Sequence, residues 1–241
     1  MRSATECDEM NEPECVWSDE VYRPILSWVL RPNDNESGLV DFRCSTSSRI
    51  SRRFSPRTST SKMVDFCTIF KPPTGSHPAR RIDEICRTRP GRSINHSDAG
   101  ALCTYPVGLS LEFKSPGADV VKAMVQIGAW HAAQWRSLCL DCPDSSTRAI
   151  EFLPGIIVQG HEWYFVATVP PQSPKAEDTS PLPFDHIPTL YSRILMGSTE
   201  HTKGLCRIVA ALRLLVTWLE ERYWPAFKQQ VLLLDYLAPA T

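Results

Sequence analysis

The nine residues PVGLSLEFK, positions 106–114, constrain the fold of this chain more than any other stretch. Val107, Leu109, Leu111 and Phe113 alternate with Ser110, Glu112 and Lys114. That period of two belongs to a β-strand, whose successive side chains leave opposite faces. Ser115, Pro116 and Gly117 end the strand, and residues 119–138 read as a helix.

The rest of the chain supplies partners for that strand. Residues 62–70, KMVDFCTIF, have the β-branched and aromatic content of a buried strand. Residues 152–159 and 162–169 read as a hairpin turning near Gly160. Residues 14–30 look helical, with Trp17, Val21, Ile25, Trp28 and Val29 at spacings of three and four. Pro24 is expected to kink or divide that helix. A short helix is expected over 80–87. A longer one is expected over 203–223, where Leu205, Ile208, Val209, Leu212, Leu215, Val216 and Leu219 form an apolar stripe and Trp224 and Pro225 end it. Residues 45–61 read as a loop with a short edge strand near Ile50, and 170–189 as a long Pro-rich loop. The 241 residues, with 42% hydrophobic content, suit one domain whose first thirteen residues are flexible.

Charge is unevenly spread behind a net value of -1. Residues 1–20 carry seven acids, whereas residues 43–92 carry twelve Lys or Arg and three acids. A basic stretch of that kind can neutralise phosphates, with Arg52, Arg53, Arg80 and Arg81 as candidate contacts; a solvated Arg-rich loop is the alternative. The N-terminus lacks the apolar core of a secretory signal, and no apolar run is long enough to span a membrane, so an intracellular location is expected. The nine cysteines, including the isolated CxxC of Cys139 and Cys142, lack a paired metal-binding spacing and are expected as mostly buried thiols.

Phosphodiester hydrolysis asks for a divalent metal to activate water and for a cation to stabilise the crowded phosphorus. Magnesium takes hard oxygen ligands, few of them protein carboxylates. Glu112 and Lys114, two apart on a strand, leave one face with Cα atoms roughly 6.5–7 Å apart. Asp65 stands among apolar neighbours, where a carboxylate is costly unless paired or metal-bound. On a neighbouring strand about 4.8 Å away it can share one cation with Glu112, and the Phe113 carbonyl offers a further ligand. The alternative is that Glu112 and Lys114 are solvated residues on the outer face of an edge strand.

Several segments decide between these readings. KMVDFC (62–67), SINHSD (93–98), LEFK (111–114) with QIGAWHAAQW (126–135), FLPGIIVQGHEWYFVAT (152–168) and the closing stretch 204–228 resemble a fungal family of PD-(D/E)XK nuclease-like proteins. The opening helix from 14 to 30 fits as well. The resemblance implies an α/β fold with a restriction-endonuclease-like core, a mixed central β-sheet flanked by α-helices. It implies Asp65 as the aspartate of the motif and Glu112, Phe113 and Lys114 as its (D/E)XK element, with Val64 where the motif name has proline. It also implies Glu14 as an opening-helix metal ligand and Gln126 as a supporting residue of the site. Lys122 shares the helical face of Gln126.

The expected activity is therefore hydrolysis of phosphodiester bonds, in DNA rather than RNA, by water activated on Mg2+, for which Mn2+ can substitute. The competing expectation is an inactive nuclease-fold module that binds nucleic acid or a protein partner. His96, His131 and His161 are read as core or turn residues, and Trp130, Trp135 and Trp163 as core rather than base-stacking platforms.

Overall fold

Six strands form one mixed sheet in the computed structural model, which describes residues 2–32, 37–55, 63–140, 149–170 and 188–234. They are β1 (Val40–Cys44), β2 (Phe66–Phe70), β3 (Val107–Lys114), β4 (Leu153–Gln159), β5 (Glu162–Val169) and β6 (Thr189–Ser198). Their spatial order follows the chain, β1-β2-β3-β4-β5-β6. Only β3 and β4 pair in parallel among these neighbours; the others are antiparallel. A parallel pair needs a crossover, and helix α5 (Val120–Leu138) supplies it.

Helices cover both faces. On one side α5 buries Ala123, Ile127, Trp130 and Ala133 against Cys67, Ile69, Ile157 and Val166. On the other lie α1 (Arg2–Glu9), the run α2 (Glu14–Trp17), a π-helical turn (Ser18–Tyr22) and α3 (Arg23–Leu30), then α4 (His77–Thr88), α6 (Thr202–Trp218) and α7 (Trp224–Gln230). Trp17, Tyr22, Leu26, Ile208, Tyr223 and Phe227 pack there on Phe66, Phe70, Leu111 and Phe113.

β3 is therefore an interior strand, buried on both faces, and the edge-strand reading of Glu112 is excluded. Its alternation also breaks once. The register of β2 against β3 shifts between Cys67 and Ile69, and Val107 joins the α5-side cluster while Leu109, Leu111 and Phe113 face the other. A bulge of this kind adds one residue to a strand and inverts the faces beyond it.

Other expectations need correction. Asp65 lies at a bend just before β2 rather than inside it. Arg2–Glu9, within the stretch expected to be flexible, is helical and buries Ala4 and Cys7. The final helical run does not stop at Trp224 and Pro225: a π-helical turn (Leu219–Tyr223) leads straight into α7, with Pro225 as its second residue. Pro24 likewise follows a π-helical turn, so the opening run is divided beside it as expected. Strand β6 was not foreseen, because TLYSRILMGS has no clean alternation. Ile50 makes a single bridge to Ser97 rather than a strand. Most of the Pro-rich stretch 170–189, and Cys142 of the CxxC, lie outside the described residues. Cys7, Cys67 and Cys86 are buried but Cys15, Cys44 and Cys206 are exposed, so the thiols are less buried than expected.

The β4–β5 turn ties down the end of β3. Gly160 adopts φ 56° in the left-handed region, its N–H donates to the Lys114 carbonyl at 3.0 Å, and its own carbonyl accepts the Tyr22 hydroxyl at 3.1 Å. A Cβ at Gly160 would come within 2.8 Å of the Pro116 ring. Gly160→Ala therefore adds backbone strain to a clash and should destabilise the protein by ~1–3 kcal/mol, read as a lowered thermal midpoint.

Candidate metal and catalytic site

The site is built where β2 begins and β3 ends. Glu112 leaves the α5 face of β3 and is fully buried. The Lys114 ammonium lies 2.6 Å from Glu112 Oε1 and donates to the Phe113 carbonyl at 2.7 Å. Glu14 Oε2, at the first residue of α2, is 3.7 Å from the same nitrogen. Asp65 reaches the cluster from its bend. Its N–H donates to the Leu111 carbonyl at 3.0 Å, and its Oδ2 accepts the Phe113 N–H at 2.7 Å. The carboxylate thus takes the place of a strand carbonyl in the ladder, which is why β2 starts one residue later.

Three acids share one ammonium here, and their protonation reflects it. Burial raises the Asp65 pKa to about 6, although the Phe113 N–H and Lys114 oppose the rise and Glu14 adds to it. Burial and the nearby Asp65 push Glu112 up to about 8 against the pull of Lys114. Burial alone would lower the Lys114 pKa, but Glu112, Glu14 and Asp65 outweigh it and hold the amine protonated.

The donors are hard oxygens of the kind a divalent cation of the magnesium class selects. Glu112 Oε2 is buried with no hydrogen-bond partner, an arrangement that a metal would relieve. Among the described residues no three His, Cys, Asp or Glu side chains are gathered tightly enough to share an ion as they stand. The Lys114 ammonium instead bridges Glu112 Oε1 and the Phe113 carbonyl, two of the expected ligand atoms.

The other expected residues lie at different distances from this centre. Gln126 is half-buried on α5, and its amide donates at 3.2 Å to the carbonyl of Met63, two residues before Asp65. Arg52 and Arg53 are exposed on the segment whose Phe54 packs with the α5-side cluster. Arg80 and Arg81 belong to α4, which follows the far end of β2. Arg80 donates to the Gly75 carbonyl, and Arg81 is engaged by the Leu232 carbonyl at 3.0 Å and Glu84 at 3.0 Å. Lys122 is exposed near the start of α5.

His96 and His131 are fully buried, and burial lowers both pKa values to about 3, which makes them neutral core groups. His161 accompanies the β4–β5 turn, bonded to the Thr199 hydroxyl at 2.8 Å. Trp130, Trp135 and Trp163 are core residues. A cleft of about 280 Å3 opens beside Asp65, lined also by Cys15, Ser18, Arg23, Cys44 and Thr46. These residues come from three separate segments, and no spacing along the chain links them.

Residues 1–224 match a family model described as the PD-(D/E)XK nuclease superfamily. No curated protein and no solved structure matches the chain.

The raised carboxyl pKa values have a measurable consequence. The folded protein binds these protons more tightly than the unfolded chain, whose carboxyls titrate near 3.8 and 4.5. The associated stability is complete below those values and is lost as pH rises through about 6 for Asp65 and about 8 for Glu112. Glu112→Gln removes the larger share. In EDTA, its stability relative to the parent protein should improve by ~4 kcal/mol between about pH 5 and about pH 8.5, measured by denaturant titration.

Proposed function

The chain belongs to the PD-(D/E)XK nuclease superfamily, and we propose that it hydrolyses phosphodiester bonds in nucleic acid, DNA in preference to RNA, with the aid of Mg2+. The observation that carries this reading is the meeting of Asp65, Glu112 and Lys114 at the end of β3, within reach of the Phe113 carbonyl and Glu14. Asp65, Glu112 and the Phe113 carbonyl would hold the ion, with Glu14 assisting; Mn2+ has the ligand preferences to replace Mg2+. Once bound, the ion would lower the pKa of a water and offset charge on the phosphate.

The side chains supply the rest. Lys114 keeps its proton at neutral pH, so its ammonium can donate to the attacking water or to a phosphate oxygen. Gln126, through the Met63 carbonyl, steadies the segment that presents Asp65 and acts as a positioning residue. Arg52 and Arg53 offer exposed charge for the polynucleotide backbone, and Arg80, exposed on α4 past the far end of β2, offers a separate one. Arg81 is a poorer candidate, since its guanidinium already holds the carbonyl of Leu232.

A second reading, a nuclease-fold module that binds nucleic acid or a protein without cutting, draws support from the Lys114 ammonium. It bridges two of the atoms assigned to the metal. Incubation with supercoiled plasmid separates the two readings. Under the first, cleavage appears with Mg2+ or Mn2+ and disappears with EDTA, and Asp65→Ala and Lys114→Ala each lower the rate by about a hundredfold or more. Undiminished cleavage in both variants would sink the assignment of roles.

Metal affinity offers an independent check. Asp65 and Glu112 must shed protons to become ligands, so Mn2+ should bind more tightly as pH rises from about 6 to about 8.5, as calorimetric titration can record.

A further inference from the structure

The helical run that presents Glu14 also presents a cation to the same cleft. Glu14, Ser18 and Arg23 all line it, opposite Asp65, Phe66 and Phe113. A regular helix advances about 100° per residue, which would set position 23 about half a turn away from position 14. The π-helical turn at Ser18–Tyr22 prevents this. Its i→i+5 bonding fits an extra residue into the turn, which takes roughly 100° off the offset and leaves about 80°, swinging Arg23 back towards the face of Glu14. Pro24 follows that turn as the second residue of α3.

The Arg23 guanidinium is held loosely in this position. It lies 5.7 Å from the centroid of the Phe66 ring, at the first residue of β2 and next to Asp65. Its ion pair with Asp19, at 3.0 Å, has both side chains half exposed or more. Such a pair is weak and screened by salt, so a phosphate can take the place of Asp19. Glu14, Asp19 and Asp65 also line the cleft, and Arg23 is the cation among its lining residues that offsets them for an incoming polyanion.

We infer that Arg23, turned into the cleft by the π-helical turn, grips a backbone phosphate of the nucleic acid adjacent to the one cleaved at the Asp65–Glu112 centre. This rests on the nuclease reading. It assigns the cleft between the opening helical run and the start of β2 as the path of one strand. Arg23 touches phosphate and carries no information about base sequence.

Binding of a short fluorescein-labelled DNA duplex tests it, with Ca2+ as the divalent ion and fluorescence anisotropy as the readout over a range of salt concentrations. For Arg23→Gln, affinity should fall about three- to tenfold, equally for duplexes of different sequence. The slope of log affinity against log salt should shrink by about one. Arg23→Lys keeps the charge and should keep the parental slope. If the parent protein binds and Arg23→Gln matches it in affinity and slope, the role of Arg23 is wrong and the nuclease reading stands. An Arg23→Lys slope as shallow as that of Arg23→Gln would also overturn the phosphate contact. If the parent protein binds no duplex at all, both the nuclease reading and the contact fall.

Discussion

The hydrogen bond from the Phe113 N–H to Asp65 Oδ2 holds the candidate site together. It joins the segment before β2 to the last turn of pairing on β3, and it does so with a carboxylate that is itself assigned to the chemistry. Ordinary strand pairing would have placed a carbonyl there and sent the side chain elsewhere. With the side chain in the ladder, the acid stands beside Glu112 and Lys114. The neighbouring contacts then support that one bond. Ser45 donates to the Asp65 carbonyl at 2.8 Å and to the Val64 carbonyl at 2.8 Å, while Gln126 holds Met63 from α5.

Around that bond the structure gathers more negative charge than it neutralises. Glu112 is buried, Asp65 and Glu14 are partly exposed, and Lys114 is the ammonium in contact with two of the three. A fold selected for stability alone would replace such a cluster with apolar side chains. The same strain recurs in Glu112 Oε2, which lacks a partner in the interior. Among the unpartnered buried polar atoms of the described residues, Glu112 Oε2 is the carboxylate, and it stands beside two further acids.

Much of this was legible in the sequence. The 107–114 alternation located β3, and the two apolar runs around Gly160 located β4 and β5 almost to the residue, because short buried strands between turn residues leave a plain periodic trace. Asp65, Glu112 and Lys114 could be named from residue type, spacing and resemblance. Other features left no such trace. The shift at Val107 depends on how β2 meets β3, not on β3 itself. Strand β6 draws its stability from pairing with β5 along its length, and pairing has no local signature. The π-helical turns are equally silent, since one residue added to a turn does not change its composition. Arg81 shows the opposite failure: a charge that looked available is committed by tertiary contact to the Leu232 carbonyl, just beyond α7.

The β4–β5 turn carries a consequence for the order of events during synthesis. Glu14, Asp65, Lys114 and Gly160 are far apart in the chain, and the Lys114 carbonyl at the end of β3 gains its partner when Gly160 reaches it. A ribosome-bound chain that has emerged as far as Lys114 owns every acid of the cluster but not the parallel partner or the turn that fixes their geometry. Such long-range closure is slow and comes late. An incomplete copy therefore has its acids without the architecture to use them, and any hydrolytic capacity is deferred until the sheet is closed.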